Sequence, residues 1–219
     1  MKPLFDAICW DHDGLLVDSE SLFFTTTRDV LREVGVRLSQ EHWSDEYLSR
    51  GLGTAAVAQG LGVSALQCKA LVETRNRLYR ESLESSPPLC SAADDTLRIL
   101  HGKLPMALVT GSEREDIDLI HRSTGLLELF GTIVARSDYD RPKPAPDPYL
   151  EAARRLGVQP ERCLAVEDSE RGLRAAIAAG MRCVVIPSHL TSGQAFEGAY
   201  AIEACLDRIP SYVFESERG

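Results

Sequence analysis

The sequence predicts a doubly wound, Rossmann-like α/β core with a parallel sheet, carrying a small helical-bundle second domain. Three observations predict it: short apolar runs recurring along 219 residues, helix-like segments between them, and one long gap holding helices but no strand. The runs are "LFDAICW" (4–10), "MALVT" (106–110), "TIVAR" (132–136), "CLAVE" (163–167) and "CVVIP" (183–187). Runs apolar on both faces that alternate with helices mark strands covered on both sides.

The connecting segments "ADDTLRILHGK", "REDIDLIHRSTG", "PDPYLEAARRLG" and "ERGLRAAIAAG" read as helices, and several end in Gly, the usual helix stop. The gap from residue 19 to 85 is far longer than the ~10–12 residues a crossover needs. It carries four helical stretches: "SESLFFTTTRDVLREVG", "SQEHWSDEYLSR", "TAAVAQGLG" and "SALQCKALVETRNRLYRESLES". The expected division is a core of residues 1–18 and 86–219 and an inserted helical domain of residues 19–85. "SSPPL" (85–89) reads as the return hinge, since consecutive prolines cannot continue the preceding helix.

Apolar residues are 44% and charged residues 26%, the balance of a soluble globular protein. A net charge of −9 with scattered basic residues weighs against nucleic acid or an anionic membrane as partner. No run approaches the ~20 apolar residues of a membrane helix, and "MKPLFDAICWD" lacks the features of a secretory signal. The six cysteines show no C-x-x-C pair or zinc spacing, and Cys9, Cys163 and Cys183 sit in strand-like runs. The expectation is a cytoplasmic protein with reduced thiols, with a monomer as the default.

Ligands of open α/β sheets bind beyond the carboxyl ends of the strands. Asp11 and Asp13 follow the first strand, Thr110, Gly111 and Ser112 the second, Lys143 the third, and Glu167 and Asp168 the fourth. Carboxylates at buried strand ends are costly unless paired, so a divalent cation and the lysine are expected to compensate them. Mg²⁺ prefers hard oxygen ligands. Asp11 and Asp168 are the natural pair, the Asp13 backbone carbonyl is within reach, and Glu167 stands behind them or ligates directly. Lys143 supplies a compact charge for a phosphoryl group, and the Thr110 hydroxyl and Gly111 amide can donate to its oxygens. Asp11 would attack phosphorus to give an aspartyl-phosphate. Asp13, protonated, would donate to the leaving oxygen and then activate water.

Four stretches in this order, "DHDGLLVDSE", "LVTGS", "RPKPAPD" and "VEDSERGLRAAIAAGM", resemble the haloacid dehalogenase superfamily, in its phosphatase and β-phosphoglucomutase-like branch. They span residues 11–181, nearly the whole chain. The resemblance implies Asp11 as nucleophile, Asp13 as acid/base, Thr110 and Lys143 as phosphoryl-binding pair, Glu167 and Asp168 as metal carboxylates, and the helical insert as a mobile cap that selects substrate. It implies a Mg²⁺-dependent phosphatase of a small phosphorylated metabolite, plausibly a sugar phosphate. The alternative is a β-phosphoglucomutase-like mutase. Such mutases carry a His at the position of Phe23 and an Arg after the cap-loop Gly, where this chain has "GLGTAA"; both absences favour the phosphatase. Dehalogenases and phosphonate hydrolases of the superfamily lack an Asp at the position of Asp13. A non-enzymatic binding module predicts loss of a catalytic residue, and none is lost. Leu15 stands where many members carry Thr or Val, and "PPLCSAADD" replaces a Gly-containing return from the cap.

Other residues carry plainer readings. Strand alternation points His12 away from the aspartates, and Trp10 reads as core. Arg50 and Arg114 are equally compatible with solvated charges and substrate contacts. Asp18 and Glu20 read as capping the insert's first helix and bracing the hinge rather than touching substrate.

Overall fold

A computed structural model describes residues 3–83 and 89–214; the prolines of the expected return hinge lie outside them. Six strands, β1 (Ala7–Trp10), β2 (Met106–Val109), β3 (Thr132–Val134), β4 (Cys163–Glu167), β5 (Arg182–Val185) and β6 (Ala201–Ile202), form one sheet in the order β3-β2-β1-β4-β5-β6. Every neighbouring pair is parallel. The first four strands fall inside the apolar runs, and β5 starts one residue before its run, at Arg182. β6 belongs to no such run: it has two residues, and Ile202 is 57% exposed.

Helices α5 (Ala93–Leu100), α6 (Arg114–Ile120), α7 (Asp147–Leu156), α8 (Glu170–Ala178) and α9 (Ile209–Val213) belong to the core. Strand alternation explains why both sheet faces are apolar. Ile8 and Trp10 share one buried cluster with Leu97, Leu108 and Ile117. Ala7 and Cys9 share the opposite cluster with Val109, Tyr149 and Leu173. Trp10 is core, as expected. Gly157, at φ 68, stops α7 in the left-handed conformation that Gly adopts freely. All six cysteines are free thiols, and among the described residues no helix is long and apolar enough to cross a membrane.

Between β1 and β2 the chain forms α1 (Ser19–Glu33), α2 (Gln40–Trp43), a π-helical turn Ser44–Ser49, α3 (Thr54–Gly60) and α4 (Ala65–Leu83). These helices bury their own cluster, including Phe24, Leu31, Trp43, Leu48 and Val57. Ser39 caps α2 by accepting from the His42 amide at 3.1 Å. Asp18 occupies the N-cap position of α1, but its carboxylate takes the Ser21 hydroxyl and no backbone amide. The two crossings between insert and core are laced together: Val17 pairs with Leu89, and the Cys90 amide donates to the Leu16 carbonyl at 2.9 Å. The loop after β5 also reaches the insert. Leu190 joins its apolar cluster, and Gln40 donates to the His189 carbonyl at 3.0 Å.

Candidate active site

The strand order places β1 beside β4, where successive connections leave in opposite directions, and the carboxylates collect there. The Asp11 amide donates to the Val166 carbonyl at 2.9 Å, which ties the loop after β1 to β4. The Lys143 ammonium donates to Asp11 Oδ1 at 2.5 Å, Glu167 Oε1 at 2.7 Å and the Val109 carbonyl at 3.1 Å, using all three of its protons. Glu167 is equally committed. Tyr149 donates to Oε1 at 2.5 Å, while Oε2 accepts from the Asp168 amide and the Ser169 hydroxyl. A Cβ at Gly172 would lie 2.0 Å from this carboxylate, so only Gly lets α8 pass so close. The contact with Lys143, which the sequence reading did not include, is made by the carboxylate that reading gave to the metal.

Asp168 is different. It is buried, and its Oδ2 has no hydrogen-bond partner among the described residues. Gly14, at φ +84, leaves the space beside that oxygen: a Cβ there would lie 2.4 Å from it. Ligand atoms of Asp11, Glu167 and Asp168 all lie within 4.8 Å of one another. Burial, reinforced by Glu167, pushes the Asp11 carboxyl up to about 7 despite Lys143. Burial, with Glu20 and Asp11 nearby, pushes Asp168 up as well. Three buried carboxylates against one lysine, one of them with an orphaned oxygen, fit a hard divalent cation.

Asp13 sits in a nest of hydroxyls. Ser19 donates to Oδ1, and Thr110 and Ser112 donate to Oδ2 at 2.7 and 2.8 Å. Burial favours the protonated form, but His12 and the hydroxyl donors outweigh it and hold Asp13 well below the usual carboxylate range. These partners favour the ionised carboxylate of Asp13. Thr110 faces Asp13 and accepts the Ser112 amide at 2.9 Å, while Gly111 and Ser112 line the open cavity.

His12 corrects the alternation argument. Its Nδ1 lies 3.2 Å from Asp13 Oδ2, and its Nε2 is 2.8 Å from His121 Nε2. Strand geometry ends at Trp10, so a period of two no longer governs where His12 points. Burial opposes its charge, yet the Asp13 carboxylate raises His12 above its ordinary range; burial pushes His121 down to about 4. His121 continues to the Thr124 hydroxyl at 2.8 Å. Nothing local in the sequence signals a contact between residues 109 apart.

Above these groups is a cavity of about 380 Å³ roofed by the insert. Asp11, Lys143 and Asp168 line its floor; Phe23, Tyr47 and Tyr79 line its roof. Glu20 and Arg171 also line it, which corrects the reading of Glu20 as a helix cap. Burial and the Asp13 carboxylate push Glu20 up to about 8. α1 starts at the cavity mouth, so its first turn faces inward rather than toward the hinge. Arg50 pairs with Glu46 and Arg114 with Asp118, both as exposed pairs within one turn, and neither lines the cavity.

The family of haloacid dehalogenase-like hydrolases matches residues 5–180. The chain is 33% identical over 188 residues to fructose-1-phosphate phosphatase YqaB of Escherichia coli (strain K12), covering 84% of this chain and 97% of that protein. It is 34% identical over 209 residues to a probable pseudouridine-5'-phosphatase of Drosophila melanogaster, covering 90% and 88%. Its fold superimposes with a TM-score of 0.79 on the crystal structure of CbbY from Rhodobacter sphaeroides in complex with phosphate, at 25% identity and covering 94% and 96% of the two chains. With motifs, sheet and carboxylate cluster in agreement, the chain belongs to the haloacid dehalogenase-like hydrolases and is a phosphoric monoester hydrolase.

Proposed function

We propose that the chain is a Mg²⁺-dependent phosphatase of small phosphate monoesters, a sugar phosphate or related metabolite, working through an aspartyl-phosphate on Asp11. The observation that carries this reading is Asp11 itself, at the cavity floor, with one carboxylate oxygen 2.5 Å from Lys143 and Asp168 in the same cluster. The similarity to phosphatases of a sugar phosphate and a nucleotide supports the substrate class.

Asp11 and Asp168, with the Asp13 carbonyl, would hold Mg²⁺, which supplies charge neutralisation at the phosphoryl oxygens. Glu167 keeps Lys143 in place. A carboxylate oxygen of Asp11 attacks phosphorus as the ester P–O bond breaks, and the leaving oxygen takes a proton from Asp13. Water then attacks the aspartyl-phosphate, Asp13 takes up its proton, and the Asp11–phosphorus bond breaks. The ionised Asp13 in its hydroxyl nest corresponds to the state that receives the proton from water. The proton it gives to the leaving oxygen in the first step is the one taken from water in the preceding turnover.

The helical insert, residues 19–85, is proposed as a cap that closes over the substrate and excludes water. The mutase reading is disfavoured by Phe23, which handles no proton and lies under the Arg75 guanidinium at 3.8 Å. A panel of phosphorylated metabolites assayed for released phosphate with and without Mg²⁺ tests the proposal. Net phosphate from glucose 1-phosphate supports it, conversion to glucose 6-phosphate supports the mutase, and full turnover in a chelator contradicts the metal assignment.

A further inference from the structure

The roof of the cavity is made of rings fixed from behind. Tyr47 lies flat on the fully buried Trp43, with centroids 4.0 Å apart and planes 12° apart. Phe23 is backed by the guanidinium of Arg75, which is only 4% exposed and whose Nε and Nη1 have no hydrogen bonds among the described residues. Tyr79 meets Phe23 edge-on, with centroids 5.0 Å apart. Phe23, Tyr47 and Tyr79 all line the cavity. Glu20 and Arg171 line the cavity as well, and among the described residues Glu20 Oε2 and Arg171 Nε are buried without a hydrogen-bond partner.

A phosphoryl group on the floor leaves this upper part to the alcohol. Rings locked from behind lose little freedom on binding and offer flat, polarisable faces. A short acyclic alcohol would leave such a surface wet, whereas a ring covers it. The polar side chains of Glu20 and Arg171 beside these rings suit a ring that carries hydroxyl or other polar groups.

We propose that the leaving alcohol carries a ring, a sugar or a heterocycle, whose face rests on Tyr47 beside Phe23, and that this contact discriminates against short acyclic phosphates. The inference rests on the phosphatase reading and deepens it. Tyr47 is a specificity residue here and takes no part in the chemistry at Asp11.

The test compares kcat/KM of the wild type, Tyr47→Leu and Tyr47→Phe toward acetyl phosphate, glycerol 3-phosphate, a set of hexose phosphates and a set of nucleoside 5'-monophosphates, all with Mg²⁺. Acetyl phosphate needs only the floor. The wild type is expected to favour a ring substrate over glycerol 3-phosphate by roughly 10- to 100-fold. Tyr47→Leu should erase that preference while leaving acetyl phosphate turnover unchanged, and Tyr47→Phe should keep it. The hexose and nucleotide arms show which ring is meant. Phe23→Leu should give the same pattern, which covers a Tyr47→Leu protein that fails to fold. Equal turnover of glycerol 3-phosphate and every ring substrate by the wild type, or a parallel loss on acetyl phosphate in a folded Tyr47→Leu variant, would overturn the proposal. No phosphate release by the wild type even from acetyl phosphate would instead sink the phosphatase reading, and this inference with it.

Discussion

The floor and the roof of the cavity are built in opposite ways. The floor is charged, and its groups hang from strand ends: Asp11 follows β1 directly, Thr110 follows β2, and Glu167 is the last residue of β4. Backbone register places these side chains, and hydrogen bonds saturate most of them. The roof is aromatic, and its groups come from α1, the π-helical turn and α4, placed by helix packing and by the Arg75 guanidinium behind Phe23. A floor set by sheet register admits one chemistry, whereas a roof set by packing can change its occupant without disturbing that chemistry.

The sharpest way to break this division is Lys143→Met. It strips the charge that three acceptors share, and kcat/KM should fall by about 10³-fold. The fall should be the same for acetyl phosphate as for a larger substrate. A loss confined to large substrates would show that floor and roof are not separable.

Next in size is Gly172→Ala. The new Cβ would meet Glu167 at 2.0 Å and displace the group that holds Lys143. Apparent Mg²⁺ affinity should weaken by roughly 10- to 100-fold, as for other changes behind a metal ligand, and a Mg²⁺ titration of activity reads it. An unchanged titration would mean that the floor tolerates movement of Glu167.

The buried carboxyls of the cavity also predict a pH dependence that its aromatic rings do not. The metal-free carboxyls of Asp11 and Glu20 lie at about 7 and about 8, above the value of an unfolded carboxyl. A group raised in this way stabilises the fold at low pH, and that stability is lost as pH rises through its folded value. Metal-free protein should therefore lose stability between pH 5 and 8. Mg²⁺ should raise Tm more at pH 8 than at pH 5.5, by about 5–10 °C at 100-fold excess over Kd. Melting curves at the two pH values check it; an equal Mg²⁺ shift at both would remove the carboxylate cluster as the binding site.

The smallest effects are expected outside both surfaces. Arg50→Ala removes an exposed pair in which the Arg side chain is 66% exposed. Stability should change by no more than about 0.5 kcal/mol and kcat/KM not at all. A change in KM would place Arg50 on the substrate path after all.

This contrast also decides what could be read from the sequence. Five strands are short apolar runs with covered faces, and once they are located, the residues just past their ends follow by counting. That is how Asp11, Thr110, Lys143 and Glu167 reach one edge on paper. Where strand geometry stops, counting fails: His12 lies beyond Trp10 and turns toward Asp13 and His121. β6, with two residues and Ile202 exposed, carries no apolar run to find. Glu20 and Arg171 face the cavity because α1 and α8 begin at its mouth; the i,i+4 spacing of Trp43 and Tyr47 puts them on one face, but does not by itself turn that face toward the cavity. Such contacts depend on how helices pack, which no single segment encodes.

In the proposed reaction Asp11 carries the phosphoryl group and Asp13 moves the proton. This assignment is tested most directly by intact-protein mass spectrometry after mixing with an aryl phosphate and Mg²⁺. Asp13→Asn keeps the nucleophile and a leaving group that needs little protonation, but loses the base for water, a ~10²–10⁴-fold effect on the second step. One added phosphate should therefore persist on Asp13→Asn, mapping to Asp11, and none should form on Asp11→Asn. Phosphate on the Asp11→Asn protein, or on any residue other than Asp11 in Asp13→Asn, would contradict the account.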